Sequence, residues 1–385
     1  MSHPTIPPSH YLFPMPFYPF ELERWQSEFE HRVWANLSES GVHPMTIAEL
    51  LDIGGGSLDE LAAVRLGYSQ GDGTDELREA IAALYPGATE ANVTVTTGSS
   101  EANFITVWSL VEPDDHVAVM TPTYMQTPGL AKNFGATITE FGLRAERGWE
   151  PDLDEITEAI VPGTRLVIVT NPNNPTGHVL SDDARNAIIA RAGEVGAWIL
   201  ADEVYQGAEL NGQMTPSFWG QYDRLVIVNG LSKAYGLPGL RLGWAIGPKE
   251  FKAEVVRRHD YTVICPSSAS DYLATRALAA REHILDRTRK ILNDNYPILD
   301  EWLEQFGGLF EWHVPQCGAI CFVRYAHAVG ALDLVERVRE QHDILLVAGD
   351  HFDRPHHIRF GFGNEQGELK EALERLTPAF AELVD

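Results

Sequence analysis

The sequence predicts an α/β fold: a mainly parallel sheet with helices on both faces, followed by a smaller α+β unit. Three observations carry that expectation. From Tyr68 onward, short β-branched apolar runs bounded by turn signals alternate with helical segments. After about Asp271 the texture changes to one long helical stretch, then short strands and a last amphipathic helix. The chain has 385 residues, 44% of them hydrophobic, enough for two domains with a large core.

Taken in order, the Pro-rich, aromatic first twenty residues read as an extended arm. Glu21 to Val33 reads as a helix, Thr46 to Leu51 as a short one, and Gly54, Gly55 and Gly56 as a turn, because no strand precedes them to make a phosphate loop. Thr74 to Leu84 is an amphipathic helix. Strands are expected at Val93 to Val95, Val117 to Met120, Leu166 to Val169, Trp198 to Leu200, Leu225 to Val228 and Leu242 to Ile246. The later unit should hold a helix over Ala274 to Phe306 and strands at Phe310 to Val314, Ala319 to Val323, Ile344 to Val347 and His357 to Phe362. Helices over Leu332 to Gln341 and Gln366 to Val384 complete it. The N-terminal residues have too little core of their own. We therefore expect residues 46–275 to form the large domain, and 1–45 with 276–385 to form a small domain carrying the N-terminal arm.

Charge and composition exclude several classes. A formal net charge of −26, from 29 basic and 55 acidic residues, repels phosphate backbones and anionic lipid, so neither nucleic acid nor membrane is an expected partner. The acidic surface is read as serving solubility or salt adaptation. Three cysteines, Cys265, Cys317 and Cys321, make no disulfide framework and complete no zinc site; all three read as packing residues. His351, His356 and His357 lack ligand partners at metal spacing, so no metal is expected. The N-terminus lacks a basic start and a long apolar run, which points to a cytoplasmic protein.

Open α/β sheets bind ligands at the carboxyl ends of their strands. Polar clusters follow five of the expected strands: TTGSSEAN with Gly98, Ser99 and Ser100; TPTYMQT with Tyr124; TNPNNPTG with Asn174; ADEVY with Asp202 and Tyr205; and NGLSKAYGLPGLRLGW with Ser232, Lys233 and Arg241. A structural protein has no need of five such clusters on one sheet edge. Among six lysines, only Lys233 sits among small, apolar and Gly-rich residues; Lys132, Lys249, Lys252, Lys290 and Lys370 have helical or charged surroundings that suit solvent.

NPNNPTG, ADEVY and LSKAYGLPGLRLGW, in this order, resemble the class I/II aminotransferases, the pyridoxal-5′-phosphate (PLP) enzymes of fold type I. The resemblance runs from roughly Tyr68 to Gly363. It implies PLP as cofactor, a cytoplasmic homodimer, and an α-amino acid substrate with a 2-oxo acid as its acceptor. Lys233 would form the Schiff base and carry the Cα proton, which needs an amine that is neutral some of the time; burial and a nearby cation would lower its pKa. Asp202 would keep the pyridine nitrogen protonated, although an Asp after a strand is also often a helix N-cap. Tyr205 and Asn174 would hydrogen-bond the phenolic oxygen. Gly98, Ser99 and Ser100, opening a helix, would hold the phosphate with Arg241. Many relatives carry a phosphate-binding Ser three residues before the lysine; here that position is Gly230, and Ser232 is expected to serve instead. Tyr124 would stack on the ring. Tyr68 would reach the phosphate of the neighbouring subunit, its alternative being a core or turn tyrosine. Arg359, in HHIRFGFG, would clamp the α-carboxylate, with Phe360 and Phe362 marking a partly buried strand.

Shared machinery does not set the reaction. Transamination is the default. A second resemblance points elsewhere: ANLSESGVHPMTIAELL, Ala35 to Leu51, is similar to the corresponding stretch of capreomycidine synthase-like enzymes. Those enzymes eliminate a hydroxyl from a hydroxylated arginine and cyclise the product. The similarity places Glu39 and Gly41 at the substrate, with Glu39 and Ser40 at its entrance, and an acid there suits a cationic side chain. The other reading is that SESG only makes a turn. A transcriptional regulator built on this fold is disfavoured, because the roughly sixty residues before the core are not basic.

Overall fold

The computed structural model describes residues 17–384. The arm expected at the N-terminus lies, up to residue 16, outside the described residues. The central element is an eight-stranded sheet. From one edge to the other its strands are Val93–Thr96, Gly243–Ile246, Leu225–Gly230, Trp198–Asp202, Thr164–Thr170, His116–Thr121, Thr137–Arg144 and Glu150–Pro151. The five from Leu225–Gly230 to Thr137–Arg144 are mutually parallel, whereas Gly243–Ile246 runs antiparallel to both of its neighbours.

The central strands are mainly apolar because both faces are covered. In Leu225–Gly230, Leu225 and Ile227 join one core while Val226 and Val228 join the other; Ile199 and Leu200 divide in the same way. The helix Asp182–Val195 packs one face through Ala184, Ile188 and Ala192, and Gly98–Leu110 packs the other through Ala102, Ile105 and Val107.

The strands Thr137–Arg144 and Glu150–Pro151 were not expected from sequence. The former is mostly exposed over its first half and buried only at Phe141 to Leu143, so no clean alternation marks it. The long C-terminal helical stretch is two helices, Ser268–Ala279 and Arg281–Glu304, which meet at Ala280. A second, antiparallel sheet follows in the order Phe310–Trp312, Ile320–Tyr325, His357–Gly361, Val347–Ala348.

The expected strand over Ile344 to Val347 is divided. Ile344–Leu345 pairs in parallel with Ala35–Asn36, and Val347–Ala348 joins the second sheet. The N-terminal segment thus runs along the C-terminal unit. Leu37 donates its N–H to the Leu345 carbonyl, Gly361 donates to Leu37, and His43 donates to Gly363. This path carries residues 38–41 across the end of the large sheet. Among the described residues no helix is long and apolar enough to cross a membrane, and the three cysteines are free.

Candidate active site

At the carboxyl edge of the sheet lies a cavity of about 310 Å³. Its wall includes Ser99, Ser100, Tyr124, Asn174, Asp202, Tyr205, Ser232, Lys233, Arg241, Arg359 and Glu39, so the structure brings together residues expected from seven separate segments. Strand order explains the convergence: the five strands that precede these clusters are adjacent or one apart, and all point the same way.

The anion-binding end is built by close approach. Gly98 opens the helix Gly98–Leu110 at φ +77°, and a Cβ there would lie 2.6 Å from Arg241 Nη2. Glycine suits this positive φ and leaves the guanidinium room beside the helix N-terminus, where backbone N–H groups favour an anion. Arg241 also donates to the Pro238 carbonyl at 3.1 Å, and its Nη1 lies 3.4 Å from Ser232 Oγ. At Gly230, the site of the missing serine, a Cβ would lie 3.1 Å from both Gly243 Cα and the Leu242 carbonyl oxygen, so a side chain there would be tightly crowded by backbone. Ser232 is the hydroxyl on this side of the cavity.

Asp202 ends its strand buried, with its Oδ1 accepting from Val204 N–H at 3.2 Å and its Oδ2 from Asn103 Nδ2 at 2.9 Å. It caps no helix. Burial raises its pKa, and the Asn103 hydrogen bond opposes that rise. Tyr124, packed edge-on against Phe20, donates its hydroxyl to Glu23 at 2.5 Å. Tyr205 donates to Ser40 Oγ at 2.9 Å.

Lys233 departs from expectation in its charge. Burial, the largest single influence, lowers its pKa, but the Glu39 carboxylate and Tyr205 together outweigh it, and the net shift is upward. A nearby cation is expected to depress it; Arg359 acts in that direction, but as the smallest of these influences. Glu39 Oε1 sits 2.7 Å from Lys233 Nζ and also accepts the N–H groups of Ser40 (2.8 Å) and Gly41 (3.1 Å). Lys233 pulls the Glu39 pKa down to about 2 against the effect of burial. SESG is therefore a turn and also a means of presenting a carboxylate. Gly41 itself lies behind Lys233 and contributes its backbone rather than a wall of the main cavity.

Arg359 is 1% exposed on the second sheet's inner strand, between Phe322 and Val347. Phe360 and Phe362 are fully buried rather than partly so. Its Nη1 donates to Asn174 Oδ1 at 2.8 Å, its Nη2 to the Ser38 carbonyl, and its Nε has no partner among the described residues. Tyr68 is 88% exposed and lies outside the cavity of its own chain. Lys252, expected in solvent, instead packs against Asp72 at 2.6 Å.

Sequence reasoning missed Glu23, Gln26 and Glu30, which line the cavity from the N-terminal helix Glu21–Phe29 and the residue after it. Their i, i+3, i+7 spacing puts them on one helical face, the signal that was available. It also missed Asn103, a polar residue within the apolar run ANFITVW.

Three cations, Lys233, Arg241 and Arg359, line one cavity with a helix N-terminus, a buried carboxylate, and two buried polar atoms without partners, Asn103 Oδ1 and Arg359 Nε. This donor set fits a phosphorylated pyridine aldehyde and a substrate carboxylate. Residues 59–376 match the model of the family described as aminotransferase class I and II. The chain is 33% identical to capreomycidine synthase of Streptomyces vinaceus over 92% of each chain. It is 26% identical to the aspartate/prephenate aminotransferase of Thermus thermophilus over 82% of this chain and 83% of that one. Among solved structures, a PLP-dependent aminotransferase from Streptococcus suis superposes with a TM-score of 0.91 at 32% identity, covering 96% of this chain and 99% of that one. The PLP-dependent cyclase OrfR superposes with a TM-score of 0.89 at 30% identity, covering 97% and 99%. The α/β architecture is thus that of the PLP-dependent fold type I enzymes, and this chain belongs to the class I and II aminotransferase family, with pyridoxal 5′-phosphate as its cofactor.

Proposed function

We propose that this enzyme acts on an amino acid with a cationic, guanidinium-like side chain, and that it eliminates and cyclises in the manner of the capreomycidine synthase-like enzymes. The single observation that carries the reading is Glu39, held by two backbone N–H groups with its carboxylate 2.7 Å from Lys233 Nζ inside the cavity. Charge counting supports it. The cofactor phosphate would take Arg241, the substrate α-carboxylate would take Arg359, and Lys233, displaced from the cofactor by the substrate amine, would have to be neutral to take the Cα proton. Glu23 and Glu39 then remain on the cavity wall without a cation, and Glu30 meets only the exposed His31, at 3.4 Å. A second carboxylate on the substrate meets only repulsion there, whereas a guanidinium finds acceptors.

In this reading the bound cofactor supplies an electron sink for the Cα carbanion. Ser99, Ser100, Ser232 and Arg241, with the N–H groups opened by Gly98, would hold the phosphate. Asp202 would serve the ring nitrogen, Asn174 and Tyr205 the phenolic oxygen, and Tyr124 the ring face. Arg359 orients the substrate. Lys233 Nζ removes the Cα proton and later returns it. Between those transfers the β-hydroxyl leaves as water and a guanidine nitrogen closes on Cβ, so the net change is the loss of one water.

The exposed apolar residues Leu66, Tyr68 and Tyr261, at 93%, 88% and 84% exposure, support a homodimer. Hydrogen bonds from Ser69 to the Pro266 carbonyl and from Ser268 to the Gly67 carbonyl tie the two segments into one face. On this face Tyr68 of the partner subunit would complete the phosphate site. Sedimentation at micromolar concentration should give a dimer; a monomer with full activity contradicts this arrangement.

Amino transfer is the second reading, favoured by the framework shared with the aspartate aminotransferases. One experiment separates them. Holoenzyme is incubated with a β-hydroxylated arginine, and in parallel with arginine or aspartate plus 2-oxoglutarate. A cyclic product lighter by one water, without glutamate formation, supports the cyclase. Glutamate formed from either donor, with no loss of water, supports the transaminase.

A further inference from the structure

The helix Gly98–Leu110 does two jobs one turn apart. Ser99 and Ser100 lie at its N-terminus, and Asn103, at i+4 and i+3 from them, lies on the same face about 5 Å deeper along the axis. Asn103 is 1% exposed. Its Nδ2 donates to Asp202 Oδ2 at 2.9 Å and to Gln126 Oε1 at 3.3 Å, while Gln126 Nε2 donates to the Ser100 carbonyl at 2.9 Å. The amide orientation follows from these partners: turned over, the oxygen would face two acceptors. Ser100, Gln126, Asn103 and Asp202 therefore form one hydrogen-bonded chain between the two ends of the cavity.

We infer that Asn103 is a positioning residue that keeps the Asp202 carboxylate ionised and facing the cofactor's ring nitrogen, with Gln126 tying that carboxylate to the phosphate cradle. The inference rests on the reading of Asp202 as the partner of that nitrogen. A carboxylate buried at a strand end is driven toward its neutral form. A donor fixed on it makes it the weaker base, so the proton shared with the ring stays on nitrogen. Without Asn103 the carboxylate becomes the stronger base and takes the proton. No other side chain donates to Asp202 among the described residues; its remaining partner is the Val204 N–H.

The test uses holoenzyme loaded with cofactor labelled with ¹⁵N in the ring. The ¹⁵N shift reads the position of the proton, and equilibrium dialysis reads cofactor affinity. Wild type should show a protonated nitrogen across neutral pH. Asn103→Leu should move the shift toward the unprotonated value and weaken cofactor binding about tenfold, the size of a lost hydrogen bond to a charged group. Asp202→Asn should move it further, and Asn103→Leu in the Asp202→Asn background should add nothing. If Asn103→Leu retains the wild-type shift while Asp202→Asn loses it, the role of Asn103 is overturned and that of Asp202 stands. If Asp202→Asn itself retains the shift, both are overturned. Should Asn103→Leu fail to fold, Asn103→Ala serves, and a wild-type shift in that variant overturns the inference equally.

Discussion

The carboxyl edge of the large sheet and the N-terminal segment Glu21 to Gly41 meet in one cavity, but they are made differently. On the sheet edge, Asp202 and Lys233 end or follow strands buried on both faces, so their positions are set by a sheet packed on both sides. The N-terminal segment has little core of its own. It is held by a two-residue pairing with Ile344–Leu345 and by single contacts such as Trp25 Nε1 to the Leu346 carbonyl and the Tyr205 hydroxyl to Ser40 Oγ. The edge carries Asp202 and Lys233, and the segment carries Glu23, Gln26, Glu30 and Glu39, three carboxylates and an amide lining the same cavity. On the proposed function, chemistry and substrate choice then sit on separable parts of the chain.

Substitutions of Lys233 on the edge and of Arg359 on the second sheet, outside the N-terminal segment, should damage every reaction. Lys233→Ala should abolish turnover, with a loss exceeding the ~10²–10⁴-fold typical of a positioned acid–base group, because the covalent link goes too. Borohydride reduction followed by peptide mass spectrometry should place the cofactor on Lys233 in wild type and nowhere in the variant; an adduct on another lysine breaks the assignment. Arg359→Ala should raise KM for every amino acid substrate, by about 1.5–3 kcal/mol per charged hydrogen bond lost. An effect confined to one substrate class would move Arg359 from the shared machinery to the selective part.

Substitution on the segment should be milder and selective. Glu39→Gln removes the principal influence that raises the Lys233 pKa, leaving burial, which lowers it. The sign follows: at a fixed mildly alkaline pH more of the amine is neutral in the variant. The rate at which apoenzyme captures pyridoxal should therefore rise, and its pH midpoint should move down. A midpoint unchanged from wild type would mean that Glu39 does not govern the charge on Lys233.

The difference between the two regions also decided what was legible in sequence. Strand-end motifs are local: a buried strand ending in polar residues marks Asp202, Asn174 and Lys233 without tertiary knowledge. Glu39 was legible only through its short resemblance, and its contact with Lys233, 194 residues away, was not. Glu23, Gln26 and Glu30 read as the solvated side of an amphipathic helix, because only docking reveals what that side covers. The strand Thr137–Arg144 escaped detection because it is half exposed near the sheet edge, where alternation is weak. The single residue Ala280 divides two helices with no glycine or proline to announce it. The upward shift of Lys233 was misjudged for the same reason as Glu39: a neighbour distant in sequence sets it.

The most direct test of the central claim, that carboxylates of the N-terminal segment choose a cationic side chain, is a ratio. kcat/KM is measured for an arginine-like substrate and for a neutral one of similar length, in wild type and in Glu39→Gln. The account predicts that the ratio falls about tenfold or more in the variant, through the cationic substrate alone, as one charge-assisted contact is lost. An unchanged ratio, or arginine-like compounds that never perturb the cofactor absorbance of the wild-type enzyme, would contradict it.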